Sequence, residues 1–232
     1  MFHSSADLYD LIYSFKDYQS EADKLIELIN SNHPTAKSIL DVACGTSEHH
    51  KYLSTNFQIT GLDISPDFIN ISKSKNPNCS YAVADMSSFD LGQKFDIVTC
   101  LFSSIAYVKT TDKLLSTIAS FKNHMLPDGL LIIEPWVNPA EWVTGKVHMQ
   151  TYESDAVKIC RMSISGREDN ISVLNFDYLV GQRNSLQHFQ ERHLLGLFDQ
   201  ATMMEAFEQN GLIARFIEGG LMGRGLYLVT KE

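Results

Sequence analysis

The stretch Ser38-Ile39-Leu40-Asp41-Val42-Ala43-Cys44-Gly45-Thr46 limits what this chain can fold into more than any other. Its apolar half has the character of a buried strand, and it runs directly into small residues that suit a tight turn before a helix. A second apolar segment, Gln58-Ile59-Thr60-Gly61-Leu62, closes on Asp63, and a further carboxylate, Asp85, follows the short run Tyr81–Ala84. Buried strands feeding tight turns, with a carboxylate at the tip of the next strand, favour a nucleoside-bearing ligand at the carboxyl edge of a sheet. The G-x-G-x-x-G turn of nicotinamide cofactor sites is absent.

Around this motif the pattern alternates strand and helix. Asp17–Ile29 places Ala22, Leu25, Ile26 and Ile29 on one helical face, and His33-Pro34 ends it. Strands are expected at Ser38–Ala43, Ile59–Asp63, Tyr81–Ala84, Phe95–Phe102 and Leu130–Glu134. Helices are expected at Ser47–Ser54, at Pro66–Lys75 with Ser65 as its cap, and at Thr111–Met125, ended by Leu126-Pro127-Asp128-Gly129. Repeated strand–helix units predict an α/β fold with a mostly parallel sheet and helices on both faces. After Pro135 the period changes. Val147–Tyr152, Lys158–Ser165, Ser172–Val180 and Leu186–Leu195 alternate like antiparallel strands with one solvated face. They predict an inserted antiparallel element, at about 137–195, that caps the active-site edge. Asp199–Asn210 resumes helix, and Arg215–Glu218 with Gly225–Thr230 reads as a closing pair of strands.

Length and charge narrow the function. At 232 residues the chain suits one α/β domain over 1–232 with an insertion. A formal net charge of −9 argues against a general nucleic-acid binder, which needs clustered Lys and Arg. The cysteines Cys44, Cys79, Cys100 and Cys160 are widely spaced and read as free thiols of a reducing cytoplasm. The start, Met1-Phe2-His3-Ser4-Ser5, lacks the basic and apolar regions of a signal peptide, and no apolar run reaches the ~20 residues of a membrane span. The expected location is the cytoplasm. No metal-ligand spacing is present.

The spacing Asp41-x-Ala43-x-Gly45-x-Ser47 resembles the first S-adenosylmethionine (SAM) motif of class I methyltransferases, although only one of its small positions is glycine. The later landmarks arrive in order. Asp63 suits the ribose hydroxyls, since a carboxylate accepts two hydrogen bonds from a diol. Ala84-Asp85-Met86 resembles the adenine turn, Phe95–Cys100 the fourth motif, and Leu126–Leu130 the turn before the fifth strand. The resemblance implies a Rossmann-like, mostly parallel seven-stranded sheet, with SAM as cofactor.

The flanks narrow the resemblance. Leu8–Tyr13 with Lys16-Asp17-Tyr18, Phe102-Ser103-Ser104-Ile105, Glu134-Pro135-Trp136, His188-Phe189-Gln190-Glu191-x-His193, Leu197-Phe198 and Gly223-Arg224-Gly225-Leu226 together resemble the N,N-dimethyltransferases of nucleotide-linked (dTDP) 3-aminodeoxysugars. This implies Tyr18, Ala43, Gly45, Asp63, Ile64, Asp85, Met86 and Leu101 around the cofactor. It implies Tyr9, Ser104, Trp136, Tyr178 and Arg224 around the substrate, with Arg192 a weaker candidate. Ser104 and Tyr107 would face the methyl group and the substrate amine. Members of the family carry His at the position of Tyr107, so a histidine base there does not carry over. Tyr107→Phe is therefore expected to slow the reaction without abolishing it. Arg224 suits a diphosphate, because a guanidinium grips phosphate oxygens in a fork, with a plain surface arginine as the alternative. Trp136 and Trp142 either stack on the base or pack the insertion.

The histidines are read more blandly. His124 ends a helix, where a cation complements the helix dipole. His49 and His50 are placed on the surface of the first helix after the turn, with His49 in reach of the methionine carboxylate. His188 and His193 are assigned with Gln190 to one strand face. The preferred function is SAM-dependent methylation of an amino group on a nucleotide-linked aminodeoxysugar. The alternatives are another small amine or hydroxyl, or a SAM-binding protein without catalysis. A homodimer through the insertion is expected as the partner arrangement.

Overall fold

In the computed structural model, which describes residues 6–232, two sheets share the chain. The amino-terminal pentapeptide read above for a leader lies outside the described residues. The chain enters through a 3-10 turn and the short helix α1 (Tyr9–Ile12), then α2 (Tyr18–Asn32), β1 (Ser38–Val42), α3 (His50–Leu53), β2 (Gln58–Asp63) and α4 (Pro66–Lys75). It continues through β3 (Ser80–Val83), β4 (Phe95–Cys100), a 3-10 turn at Ser104–Val108, α5 (Thr111–Asn123) and β5 (Met125–Ile133). These strands, with β10 (Leu212–Ile217) and β11 (Leu226–Lys231), form a seven-stranded sheet in the order β10-β11-β5-β4-β1-β2-β3. The five from β5 to β3 run parallel, and β11 and β10 close the edge antiparallel.

Strand alternation divides the core between the two faces. Leu40, Val42, Val98 and Leu131 point to α5 and to α6 (Gln200–Gln209), where Ile118, Phe121 and Phe207 meet them. Ile39, Ile97 and Ile132 point to α2, whose buried stripe is Ala22, Leu25 and Ile29. Asp17 caps α2 by accepting from Ser20 N–H, as Ser65 caps α4 and Thr110 caps α5. At the amino end of the sheet, Asp96 Oδ2 accepts from Lys37 N–H, Ser38 N–H and the Ser38 hydroxyl, which ties β4 to β1.

Two elements differ from expectation. The helix after the first turn has four residues, because Ser47 adopts φ +61° and its hydroxyl goes to Ser72 Oγ at 2.8 Å, so helix begins only at His50. The turn Leu126–Gly129 lies inside β5 as a bulge. Met125 pairs with Phe95, and pairing resumes with Leu130 opposite Ile97. Gly129 permits it, since a Cβ there would sit 3.1 Å from Asp96 O and Leu126 O.

The second sheet comprises β6 (Val147–Glu153), β7 (Val157–Glu168), β8 (Ile171–Gln182) and β9 (Ser185–Gly196), all antiparallel and in sequence order. It stands over the carboxyl ends of β1 and β4. Its inner face carries Ile159, Arg161, Phe176, Tyr178 and His193, with Ile12 of α1 packed against its apolar part. Its outer face carries Met149, Met162, Asp177, His188 and Gln190.

Candidate active site

The order of the larger sheet reverses at β1, with β2 on one side and β4 on the other, and a crevice opens at that point. It deepens into a cavity of about 1300 Å³ roofed by the second sheet.

The turn after β1 forms the floor. Ala43, Gly45 and Ser47 have φ of +58°, +56° and +61°, so every second residue is left-handed and the backbone folds tightly. A Cβ on Gly45 would project into open space on the cavity side. Two anchors fix this turn. Gly45 N–H donates to Asp63 Oδ2 at 2.9 Å, and Ser72 Oγ donates to Gly45 O at 2.9 Å. Below it, Asp41 accepts from His50 Nε2 at 2.9 Å and from the Thr99 hydroxyl at 2.7 Å, while His50 Nδ1 meets Tyr81 Oη at 3.0 Å. His50 is fully buried rather than on a helix surface. Burial opposes its charge, but the Asp41 carboxylate prevails and its pKa is pushed up to about 9. His49 bonds Glu21 Oε2 at 2.8 Å, and Lys16 bonds the other Glu21 oxygen at 3.0 Å.

Asp63 accepts once at each oxygen, from Gly45 N–H and from Ser65 N–H. Each oxygen keeps a lone pair, and the residue lines the cavity with Ile64. Burial raises its pKa. Asp85 accepts from Ser87 N–H and Oγ at 2.8 Å, and these bonds hold its carboxyl below the usual range. Met86 and Asp85 share that end of the cavity with Lys113, which reaches Ser87 Oγ at 3.2 Å.

At the tip of β4 two residues in succession are left-handed, Phe102 (φ +52°) and Ser103 (φ +62°). Such backbone costs about 1–2 kcal/mol per residue and needs surrounding support. Glu134 Oε2 accepts from Phe102 N–H at 2.7 Å, Ser103 Oγ donates to Pro135 O at 2.5 Å, and Arg224 Nη1 donates to Ser103 Oγ at 2.9 Å. Arg224 also lies 4.7 Å over the Trp136 ring. The braced turn launches the 3-10 segment that carries Ser104 and Tyr107 into the cavity.

The second sheet supplies the facing wall. Tyr107 Oη lies 2.6 Å from His193 Nδ1, and His193 Nε2 lies 3.4 Å from Glu191 Oε2. Burial lowers the His193 pKa. Arg161 Nη1 donates to Tyr13 Oη at 3.1 Å, and Arg161 also bonds Gln150 Oε1. Gln150 in turn donates to Ile12 O at 2.6 Å, which pins α1 to the sheet.

The structure therefore brings together Tyr9, Ala43, Gly45, Asp63, Ile64, Asp85, Met86, Ser104, Tyr107, Trp136 and Arg224 around one cavity. It does not bring four others. Tyr18 packs edge-on to His49 at 5.0 Å, away from the cavity wall. Leu101 faces α2 in the core, because the left-handed turn begins only after it. Tyr178 is fully buried and stacked on Phe189 at 4.7 Å. Arg192 points outward and pairs with Glu168. Trp142 does pack the insertion, donating to Gly166 O at 2.9 Å, and Trp136 donates to Ser172 Oγ.

Two histidine expectations are corrected. His193 lies five positions after His188, an odd offset, so the two lie on opposite faces of β9. His188 is outside with Asp177, and His193 is inside with Tyr107. His124 does not stand open at the helix end to complement its dipole: its Nε2 accepts from Leu91 N–H and its Nδ1 bonds Ser120 O at 2.7 Å. Arg161 and Tyr13 were missed. Arg161 alternates with Ile159 and Ser163, and that parity alone places it on the inner face.

The turn fits SAM: tight backbone at Ala43–Ser47, open space over Gly45, a carboxylate at Asp63 for a diol, and apolar Ile64 and Met86 for a flat base. Comparisons with known proteins agree. A methyltransferase-domain family matches residues 39–129. The chain is 38% identical over 227 residues to the dTDP-3-amino-3,4,6-trideoxy-alpha-D-glucopyranose N,N-dimethyltransferase of Streptomyces venezuelae, covering 96% of both chains. The crystal structure of DesVI of the same organism superposes with a TM-score of 0.93 at 36% identity, over all of both chains. SAM-bound CalS10, an amino pentose methyltransferase from Micromonospora echinaspora, superposes with a TM-score of 0.88 at 29% identity, over 100% of this chain and 98% of that one.

Proposed function

The chain belongs to the SAM-dependent N-methyltransferases that include the dTDP-aminodeoxysugar N,N-dimethyltransferases, and from this premise we propose that it methylates the amino group of a nucleotide-linked aminodeoxysugar. SAM, when bound, supplies a methyl group on a cationic sulfur. Ala43, Gly45, Asp63, Ile64, Asp85 and Met86 are assigned to hold it, from the ribose at Asp63 to the base at Asp85 and Met86. Ser104 and Tyr107 are assigned to the acceptor amine.

One observation carries the reading. Ser104 and Tyr107 line the same cavity as the Ala43–Ser47 turn and two half-buried guanidinium groups, Arg161 and Arg224, neither of which forms an ion pair with an Asp or Glu among the described residues. A half-buried guanidinium with no carboxylate in ion-pair contact suits phosphate, Glu134 acting on Arg224 only through space, and a chain of net charge −9 has to gather such cations locally. Trp136, under Arg224, offers a face to the nucleoside base. Amine methylation needs a neutral nitrogen whose lone pair points at the methyl carbon, so positioning and exclusion of water carry most of the acceleration.

The reading treats 1–232 as one catalytic unit, with the insertion supplying the substrate wall. A cytoplasmic location is part of the same proposal. Among the described residues no helix is long and apolar enough to cross a membrane. The exposed row Val147, Met149, Met162 and Ile164 on the outer sheet face supports the expected homodimer, which light scattering tests. The deciding experiment is mass spectrometry after incubation with SAM and a panel of dTDP-aminodeoxysugars. A gain of one or two methyl masses on an amino sugar is expected. No gain, with SAM still bound in calorimetry, would send the acceptor elsewhere.

A further inference from the structure

Behind Tyr107 stands a chain of polar groups that methyl transfer alone does not require. Tyr107 Oη is 2.6 Å from His193 Nδ1, and His193 Nε2 faces Glu191 Oε2 at 3.4 Å. Tyr107 and His193 both line the cavity. Phe176 packs edge-on to the imidazole at 5.1 Å and fixes its plane.

The chemistry of these groups orders the protons. An ionised carboxylate only accepts, so the imidazole proton facing Glu191 sits on Nε2. Neutral imidazole has one proton, which leaves Nδ1 an acceptor. Tyr107 then donates its single proton to His193, and its oxygen turns acceptor lone pairs toward the cavity. Burial lowers the His193 pKa, which is consistent with this order.

We infer that the Glu191–His193 pair sets Tyr107 as a hydrogen-bond acceptor toward the acceptor nitrogen, so that the site grips that nitrogen by an N–H and passes it through two methylations and no more. The inference rests on the aminosugar reading above. A neutral primary amine donates one N–H to Tyr107 and keeps its lone pair for the methyl carbon. Each transfer forms one N–C bond, breaks one C–S bond and leaves an ammonium that sheds one proton to solvent. The resulting secondary amine still has one N–H for Tyr107 and a lone pair. The tertiary amine has none, loses its grip and leaves. His193 and Glu191 act through Tyr107 and are positioning residues.

Protonation of His193 would put a proton on Nδ1, turn Tyr107 into a donor toward the cavity and occupy the amine lone pair. Among the described residues, the charged groups that act on His193 are Glu191 on its own strand and Arg161 on β7. Tyr107 also feels Tyr13, Tyr178 on β8 and Asp63 at the tip of β2.

The test combines nitrogen NMR of imidazole-labelled protein, without ligands, with product analysis. The signal of His193 is assigned by its absence in His193→Gln. The wild type is expected to show the Nε2–H tautomer. Glu191→Gln, which keeps size and can donate, is expected to shift the population toward Nδ1–H. It should also lower kcat about tenfold with KM nearly unchanged, the loss of one oriented hydrogen bond. Tyr107→Phe is expected to lose about tenfold and to accumulate monomethyl product, with SAM affinity unchanged by calorimetry. An Nδ1–H tautomer in a wild type that dimethylates overturns the inference alone, as do wild-type rates and product ratios in both variants. A wild type that methylates no amino sugar overturns the functional reading and the inference with it.

Discussion

The buried pair under the cofactor turn makes stability fall on the alkaline side. His50 is fully buried, bonded to Asp41 at 2.9 Å and to Tyr81 Oη at 3.0 Å, and its pKa stands at about 9 against an ordinary 6.5. A histidine that holds its proton more tightly when folded stabilises the fold fully below its unfolded pKa. That contribution drains away as pH rises through the folded value. At about 1.4 kcal/mol per tenfold change in proton affinity, the difference between 6.5 and about 9 corresponds to about 3 kcal/mol. It applies to the window between pH 6.5 and about 9. The assay is urea unfolding of the wild type and of His50→Gln at a series of pH values across that window. The variant is expected to be less stable at pH 6, because Asp41 is left buried without its cation. The gap should close by about 3 kcal/mol toward pH 9.5, as the wild type loses what the variant never had. Titrating groups elsewhere affect both proteins and cancel in the difference. A gap that stays constant from pH 6 to pH 9.5 would refute the claim that His50 is charged in the folded state.

Further expectations follow from the same geometry. Gly45→Val places side-chain carbons in the space over the turn at φ +56°, and SAM affinity is expected to drop at least tenfold by calorimetry, with a stability loss of about 1–2 kcal/mol from the backbone. Unchanged affinity would place the cofactor away from this turn. Arg161→Met and Arg224→Met are each expected to raise KM for a nucleotide-linked sugar by about 10-fold or more, with SAM affinity preserved; equal KM in both variants and wild type would remove the phosphate assignment. Asp96→Asn breaks the tie between β4 and β1, with an expected loss of about 1–3 kcal/mol at pH 7. Burial opposes the Asp96 charge, but bonds from Ser38 and Lys37 hold its pKa below the usual range. Its contribution is therefore present above about pH 4 and drains as pH falls below it. An identical acid-unfolding curve for variant and wild type would count against it.

Most of the fold was legible because buried strands and capped helices leave local signatures. The bounds of Pro66–Lys75 follow from sequence to the residue, since Ser65, Pro66 and the apolar spacing all act within one turn of chain. The floor of the site was legible for the same reason: a turn, a strand tip and a carboxylate are consecutive features. What escaped the sequence depends on contacts between distant segments. His50 looks like a surface histidine until β1 and β3 place Asp41 and Tyr81 on either side of its ring. Tyr18 and Leu101 lie next to site residues in sequence. One turns toward His49 and the other into the core, because the chain changes direction between them and the cavity.

His193 is the instructive case, because its position follows from arithmetic that needs no structure. On a strand, parity decides the face. Counting from His188 through Gln190 fixes the outer set, and His193 falls in the other set with Glu191 and Leu195. Ser172–Val180 obeys the same rule, with Leu174, Phe176 and Tyr178 all inward. Parity names the face, but it does not say where along the face the cavity lies. Leu174, Phe176 and His193 line it, whereas Tyr178, one pair further along, is sealed beneath Phe189 and α1. That boundary is drawn by α1, which Arg161 and Gln150 hold at Tyr13 and Ile12. A helix of four residues has too little periodicity to be read from sequence, yet it decides which inward side chains of the insertion meet the ligand. The reach of the substrate wall is thus a property of the contact between α1 and the second sheet. Its loss through Gln150→Ala should uncover Tyr178 to solvent while leaving the cofactor floor intact.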